Sequence, residues 1–241
     1  MSRAEPYRQI PYGKREFGEN AEKKDLSPVV YIIDDDEDVR TGLANLLDSE
    51  NLASASYASP QDYLAAWKPY DAGCIILDIR FPNESGLDFQ AQLRERSIAL
   101  PVILVSGFAD VHSSIRGLKA GALDFILKPY DDRQLLAAIA NAFERDALRI
   151  SRARERATLA GRYVTLTMRE QQVMALVVRG LMNKQVAAAM NLSEITVKVH
   201  RGNMMRKMGL RTVADLVRAA DMLTEMQLSA NVGTDQSRSI R

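Results

Sequence analysis

From Val29 onward the chain alternates short apolar runs with longer stretches in which apolar residues recur every three or four positions. The runs at 29–33, 74–77, 102–105 and 125–127 read VVYII, CIIL, VILV and FIL. Unbroken apolar runs of this length belong to strands covered on both faces. The stretches near 39–47, 87–96 and 111–120, and one that starts near 132, have helical spacing. A weaker strand is expected at 54–57. Strands that alternate with helices pair in parallel, so the expected fold is an α/β doubly wound parallel five-stranded sheet.

The pattern changes after residue 132. Positions 135–159 contain neither Gly nor Pro and carry Arg145, Arg149, Arg152, Arg154 and Arg156 among helix-favouring alanines,. A helical linker is expected over 147–163. Its neighbouring apolar positions Ile139, Phe143, Ala147, Ile150 and Ala157 form an imperfect seam, which suits either a solvated connector or a dimerising coiled coil,. Beyond Gly161 the apolar residues fall at helical spacing in three or four short helices up to about Met226. The expectation is a small all-α helix-turn-helix domain over 164–226, a polar tail over 227–241, and an α/β domain over 28–146. Residues 1–27, broken by Pro6, Pro11, Gly13 and Gly18, are expected to form a flexible arm,.

Composition excludes several classes. Cys74 is the single cysteine, so no internal disulfide can form, and no apolar stretch approaches the roughly 18 residues of a membrane span,. A cytoplasmic location is expected. The net charge of +1 conceals a division: residues 27–150 carry 11 basic and 19 acidic side chains, a net −8, whereas 151–241 carry 15 and 7, a net +8. The second part is suited to phosphate backbones and the first is not.

Side chains that do chemistry on an open parallel sheet emerge at the carboxyl ends of its strands. Asp34 and Asp35 end the first strand, Asp78 follows 74–77, Ser106 follows 102–105, and Lys128 follows 125–127 directly before Pro129. Three carboxylates, a hydroxyl and an ammonium should therefore converge. Clustered carboxylates stay ionised when a hard divalent cation or a buried cation sits among them, and Mg²⁺ is the natural candidate. With the charge neutralised, Asp78 can attack a phosphoryl group whose oxygens are bound by the ion and Ser106. A calcium loop is rejected: Asp34, Asp36 and Asp38 have its spacing, but Val39 and Asn45 stand where it needs Gly and Glu,. Asp36, Glu37 and Asp38 instead read as an acidic helix start.

The set Asp34-Asp35, Asp78 followed by Arg80 and Pro82, Ser106, Phe125 and Lys128-Pro129 resembles the receiver domain of bacterial two-component response regulators. The resemblance implies a flavodoxin-like sheet and phosphorylation of Asp78 by a sensor histidine kinase. It also implies Mg²⁺ held by Asp34, Asp35, Asp78 and the backbone carbonyl of Arg80, and a phosphoryl group gripped by Ser106 and Lys128. Phe125 stands at the family's switch aromatic position. Phe81, where the family most often has Met, is a volume-tolerant departure.

In the basic part, Thr167 and Glu170 form a capping box that opens a helix,. A helix at 184–190, a turn through Asn191 and a second helix capped by Ser193 and running to about Met208 make a helix-turn-helix. On the second helix Val197, Met204 and Met208 share the inward stripe, and Ile195, Val199, Gly202 and Arg206 lie opposite, with Lys198 and Asn203 flanking,. Val199 can meet a thymine methyl, Gly202 permits close approach to a duplex, and Lys198, Asn203 and Arg206 can contact phosphates or bases. The strings LTMREQQVM from Leu166, NKQVA from Asn183 and TVKVHR from Thr196 resemble the LuxR-type DNA-binding domain of the NarL/FixJ class. That resemblance adds Lys184, Thr196 and Arg201 to the candidate DNA contacts, sends the second helix into the major groove, and pairs two domains through a final helix at 213–223. Gly202 replaces a long basic side chain found in some relatives. His112 is expected to cap a loop and His200 to pack or touch phosphate, not to bind metal.

The expected protein is a non-enzymatic regulator that accepts phosphate on Asp78, dimerises and binds double-stranded promoter DNA. Two alternatives remain: an Mg²⁺-dependent aspartyl phosphatase or phosphotransferase, and a DNA-binding scaffold indifferent to phosphate.

Overall fold

The computed structural model describes residues 27–235 apart from 70, 83 and 108–110, with the side chains of 111–114 and 225–235 left undescribed. Residues 1–26 of the expected arm at 1–27, residues 236–241 of the expected tail and the side chain of His112 lie outside the described residues. Two compact units divide between Leu135 and Leu136.

The first unit follows the strand and helix alternation. Its elements are β1 (Val29–Ile33), α1 (Glu37–Ser49), β2 (Ser54–Tyr57), α2 (Pro60–Ala66), β3 (Gly73–Asp78), α3 (Gly86–Glu95), β4 (Val102–Ser106), α4 (Val111–Lys119) and β5 (Asp124–Leu127). All pairings are parallel, in the order β2-β1-β3-β4-β5. The order reverses between β1 and β3, which places their carboxyl ends at a topological switch point. β3 and β4 are buried almost throughout, as their unbroken apolar sequences require, whereas the edge strand β2 is only half-buried. One core layer gathers Tyr31, Ile33, Tyr63, Leu77, Phe89 and Leu104. Tyr63 is fully buried, with edge-to-face contacts to Tyr31, Tyr57 and Phe89.

The helix α2 is absent from the sequence expectation. It has seven residues, too few for a helical period to show, and it is set by Ser59, whose side chain accepts from the Asp62 N–H, and by Pro60 in the first turn,.

A single 33-residue helix, α5 (Asp132–Val164), runs through the expected linker. Its early residues Leu135, Ile139 and Ala142 are buried, and residues 151–158 are exposed on every side. The second unit continues with α6 (Met168–Val178), α7 (Asn183–Met190), α8 (Glu194–Met208) and α9 (Val213–Asp235). Val173, Val186, Val197, Met204, Met208 and Leu216 are fully buried in its core. The last helix reaches Asp235, past Met226, and so overturns the expected tail from 227. Residues 227–235 contain no Pro and only Gly233 among helix-compatible residues,. Among the described residues no helix is long and apolar enough to cross a membrane.

Candidate functional site

The carboxyl ends of β1, β3 and β5 bring the acidic residues and Lys128 together. Asp34, Asp35 and Asp78 each offer a carboxylate oxygen within 4.8 Å of the others. Lys128 Nζ donates to Asp34 Oδ2 at 2.6 Å and to Asp78 Oδ2 at 2.8 Å. One ammonium among three carboxylates leaves a surplus of negative charge, and hard oxygen donors at this spacing suit a hard divalent cation such as Mg²⁺. Asp34 is almost wholly buried, Asp78 half-buried and Asp35 exposed, so the cluster opens to solvent on one side.

Burial pushes the Asp34 carboxyl above the usual carboxylate value, while the hydrogen bond from Lys128 pulls it down and the nearby Asp78 adds a smaller upward push. For Lys128, burial lowers the ammonium pKa, but the two carboxylates outweigh it and the net direction is upward. The pair therefore holds a firmly charged ammonium at the centre of the site.

Local backbone geometry fixes the carboxylates. Asp34 Oδ1 accepts from the Asp36 N–H at 3.0 Å, and Asp36 caps α1 by accepting from the Asp38 and Val39 N–H groups. The expected acidic helix start is thus a cap. Asp78 Oδ1 accepts from the Arg80 N–H at 3.0 Å, and Arg80 bridges to Ser85, which folds the loop back over the carboxylate. Ser106 is buried at the end of β4 beside Leu127, with its carbonyl accepting from the Lys128 N–H at 2.8 Å. Phe125 is half-buried against the core layer and sits opposite Leu104.

Two residues of this site escape the sequence reading. Arg40, on the first turns of α1, donates from Nη1 to the Asp34 carbonyl at 2.7 Å and braces the loop that carries Asp34 and Asp35. Its sequence signal is faint: a lone Arg after an acidic run. Gly86 begins α3 against the Asp78 backbone, where a Cβ would lie 2.0 Å from the Asp78 carbonyl oxygen. Only glycine permits that approach.

In the second unit the capping box is complete: the Thr167 N–H donates to Glu170 Oε2 at 2.8 Å and the Glu170 N–H to Thr167 Oγ1 at 3.3 Å. Asn191 adopts the left-handed conformation at φ 53° between α7 and α8, and Ser193 caps α8 by accepting from the Thr196 N–H. Among the candidate contacts, Lys184, Lys198, Val199, Gly202 and Arg206 are exposed, and Thr196, Arg201 and Asn203 are half-buried. Arg201 Nη1 donates to Asn183 Oδ1 at 2.8 Å, which ties α8 to the first turn of α7. Arg206 Nη2 donates to Asn203 Oδ1 at 3.1 Å. His200 is half-buried.

Comparison with known proteins covers both units. Residues 30–140 match the response regulator receiver domain, and 164–220 match the bacterial regulatory proteins of the luxR family. Nodulation protein W of Bradyrhizobium diazoefficiens is 43% identical over 195 residues, which span 81% of this chain and 86% of that protein. The transcriptional regulatory protein FixJ of Azorhizobium caulinodans is 39% identical over 191 residues, 79% of this chain and 90% of that one. Among solved structures, the response regulator StyR has a TM-score of 0.71 at 38% identity and matches 81% of this chain and 98% of its own.

Proposed function

The chain belongs to the transcriptional response regulators that join a receiver domain to a LuxR-family DNA-binding domain, and from that membership we propose that Asp78 carries the phosphoryl group that governs its DNA binding. The observation that carries this reading is the convergence of Asp34, Asp35 and Asp78 around Lys128 Nζ. In the proposed division, 28–146 is the receiver, 147–163 a helical connector and 164–226 the DNA-binding domain.

A carboxylate oxygen of Asp78 forms a bond to phosphorus as the P–N bond of a phosphohistidine donor breaks. The electron pair leaves on the donor's imidazole nitrogen, which takes up a proton. Asp34, Asp35, Asp78 and the Arg80 carbonyl would hold Mg²⁺, which supplies positive charge opposite the phosphoryl oxygens when bound. Lys128 keeps its charge because two carboxylates face it, and in this reading it pairs with a phosphoryl oxygen once Asp78 is modified. Ser106, one strand away, offers a hydroxyl to the same group, and Phe125 is the adjacent aromatic whose packing responds. Phosphate acts only through the contacts that differ between the two states of this face, so its effect is a population shift.

The proposed partners are a sensor histidine kinase, a second copy of the chain on activation, and double-stranded promoter DNA, in the cytoplasm. DNA contact is assigned to α8 together with Lys184, through Thr196, Lys198, Val199, Arg201, Gly202, Asn203 and Arg206. The test is incubation of the full chain with Mg²⁺ and a small acyl phosphate, followed by intact mass, oligomeric state and duplex binding. Wild type gains one phosphate, dimerises and binds a selected duplex more tightly, and Asp78→Asn does none of these. Equal phosphate uptake by Asp78→Asn overturns the assignment, and equal duplex affinity with and without phosphate overturns the coupling.

A further inference from the structure

Ahead of its buried end, α5 carries a run of arginines. Residues 147–163 hold five Arg, no Lys and one acidic residue, Glu155, a net +4. Residues 151–158 are exposed on every side, whereas Leu159 is buried in the core of the second unit, with Ala160 and Tyr163 packed against that core. At about 100° per residue, Arg152, Arg156, Leu159 and Tyr163 fall within roughly 60° of one another. The side of α5 that meets the core of the second unit is therefore the side that carries Arg152 and Arg156, and Arg154 lies on the opposite side. Arg149 shares the stripe one turn earlier, but its Nε donates to the buried Asp146 carboxylate at 2.6 Å.

One hydrogen bond fixes where this stripe begins relative to the helix assigned to DNA. Arg162 donates to the Met208 carbonyl at the carboxyl end of α8. At about 1.5 Å per residue, Arg156 and Arg152 lie roughly 9 Å and 15 Å along α5 from that junction. Charge and shape select the occupant. A guanidinium presents a planar fork that pairs bidentately with phosphate, and a duplex offers one phosphate charge per roughly 1.7 Å of its axis. Arginines one helical turn apart can thus each meet a phosphate. A second copy of this helix is disfavoured, because like charges would face each other where two such stripes met.

Resting on the DNA-binding reading above, we propose that Arg152 and Arg156 form a second DNA contact, outside the helix-turn-helix, in which α5 grips phosphates of the duplex that flanks the site held by α8. This contact reads no bases. It adds affinity and salt dependence and leaves sequence preference to α8. It also extends the footprint on DNA past the DNA-binding domain and gives the connecting helix a task besides joining two units.

The test uses the full chain, treated with Mg²⁺ and acyl phosphate, and two duplexes that carry the same site selected from a random library. One has flanks of about ten base pairs, roughly 34 Å, on each side, and the other is cut back to the site. On the long duplex, Arg152→Gln combined with Arg156→Gln weakens binding by about fivefold per arginine near physiological salt and lowers the slope of log affinity against log salt by about 2. The selected sequence is unchanged, and on the short duplex the double variant binds like wild type. Arg154→Gln, on the opposite side of the same helix, keeps wild-type affinity and slope on both. Wild-type affinity and slope for the double variant on the long duplex overturn the proposal. The same loss from Arg154→Gln also overturns it, since the effect is then one of net charge, and an equal loss on both duplexes overturns it by placing the arginines inside the site. A double variant that binds duplex like wild type but no longer dimerises assigns the stripe to a second copy instead. Wild type that binds neither duplex overturns the DNA-binding reading itself, and this proposal with it.

Discussion

Arg162, in the last turn of α5, donates from Nη1 to the main-chain carbonyl of Met208, the last residue of α8, at 2.9 Å. The guanidinium lies over Gly209, which ends α8 in the left-handed conformation and where a Cβ would come within 2.5 Å of Arg162 Nη1. A cation at a helix carboxyl end satisfies an orphan carbonyl and complements the dipole. Arg162→Ala is expected to destabilise the second unit by about 1 kcal/mol, read as a lower urea midpoint at unchanged slope. An unchanged midpoint would show that the contact contributes nothing.

Lys128 faces two carboxylates, and its removal leaves the partly buried Asp34 and Asp78 without their ammonium. Lys128→Ala should slow phosphorylation of Asp78 by about tenfold or more, because the charge that opposes the phosphoryl oxygens is lost. Quantifying phosphoprotein over time in excess acyl phosphate checks this, and a wild-type rate removes Lys128 from the proposed step.

Glu170 gives the second unit a defined acid sensitivity. Burial raises its pKa, but the hydrogen bonds from Lys207 at 2.6 Å and from the Thr167 backbone outweigh burial, and the carboxyl lies below its ordinary value of 4.5. A carboxyl with a depressed native pKa contributes stability that is complete above the unfolded value and drains away as pH falls through the native one. Glu170→Gln is therefore expected to cost roughly 2 kcal/mol at neutral pH, with the gap to wild type closing below pH 4.5,. Denaturant titrations of both proteins across that range test the sign, and a gap that widens in acid refutes it.

Tyr63 presents the opposite situation. Its ring is packed among Tyr31, Tyr57 and Phe89, yet its buried hydroxyl has no hydrogen-bond partner among the described residues. A buried polar group left unpaired costs about 1–3 kcal/mol, so Tyr63→Phe should raise the stability of the first unit by about 1 kcal/mol. Thermal unfolding measures it; a loss of stability would mean that the hydroxyl is satisfied by ordered water.

Lys198 is exposed at the edge of α8, and in the proposed DNA contact it would meet either a phosphate or a base; the expected outcome is the phosphate case. Lys198→Ala should weaken binding to all duplexes and reduce the slope of log affinity against log salt by about 1. A loss confined to one sequence with an unaltered slope would make Lys198 a base contact instead.

The strands, the acidic cluster and the helix-turn-helix are legible because each is written in local chemistry. Unbroken apolar runs mark β1, β3 and β4, carboxylates follow two of them, and Thr167, Asn191 and Ser193 carry their own capping signals. What escapes depends on contacts distant in sequence or on elements too short to show a period. The helix α2 is two turns long, and the closeness of Gly86 to the Asp78 carbonyl exists only once β3 and α3 are packed. Arg201 is indistinguishable in sequence from its basic neighbours, and only the folded chain sets it against Asn183, eighteen residues earlier. The end of α9 lies beyond its expected place because polar composition is not the absence of helix, and nothing in 227–232 breaks one.

Gly202 leaves this regulator open to change. Nothing within 4 Å opposes a side chain there, and any replacement that favours helix gains up to about 1 kcal/mol,. Most core positions tolerate drift only at a stability penalty, but at this one a single mutation can add a new chemical group to the outward surface of α8 and strengthen the helix as it does so. On the proposed DNA contact of α8, new chemistry can therefore be acquired at position 202 without compensating substitutions elsewhere,.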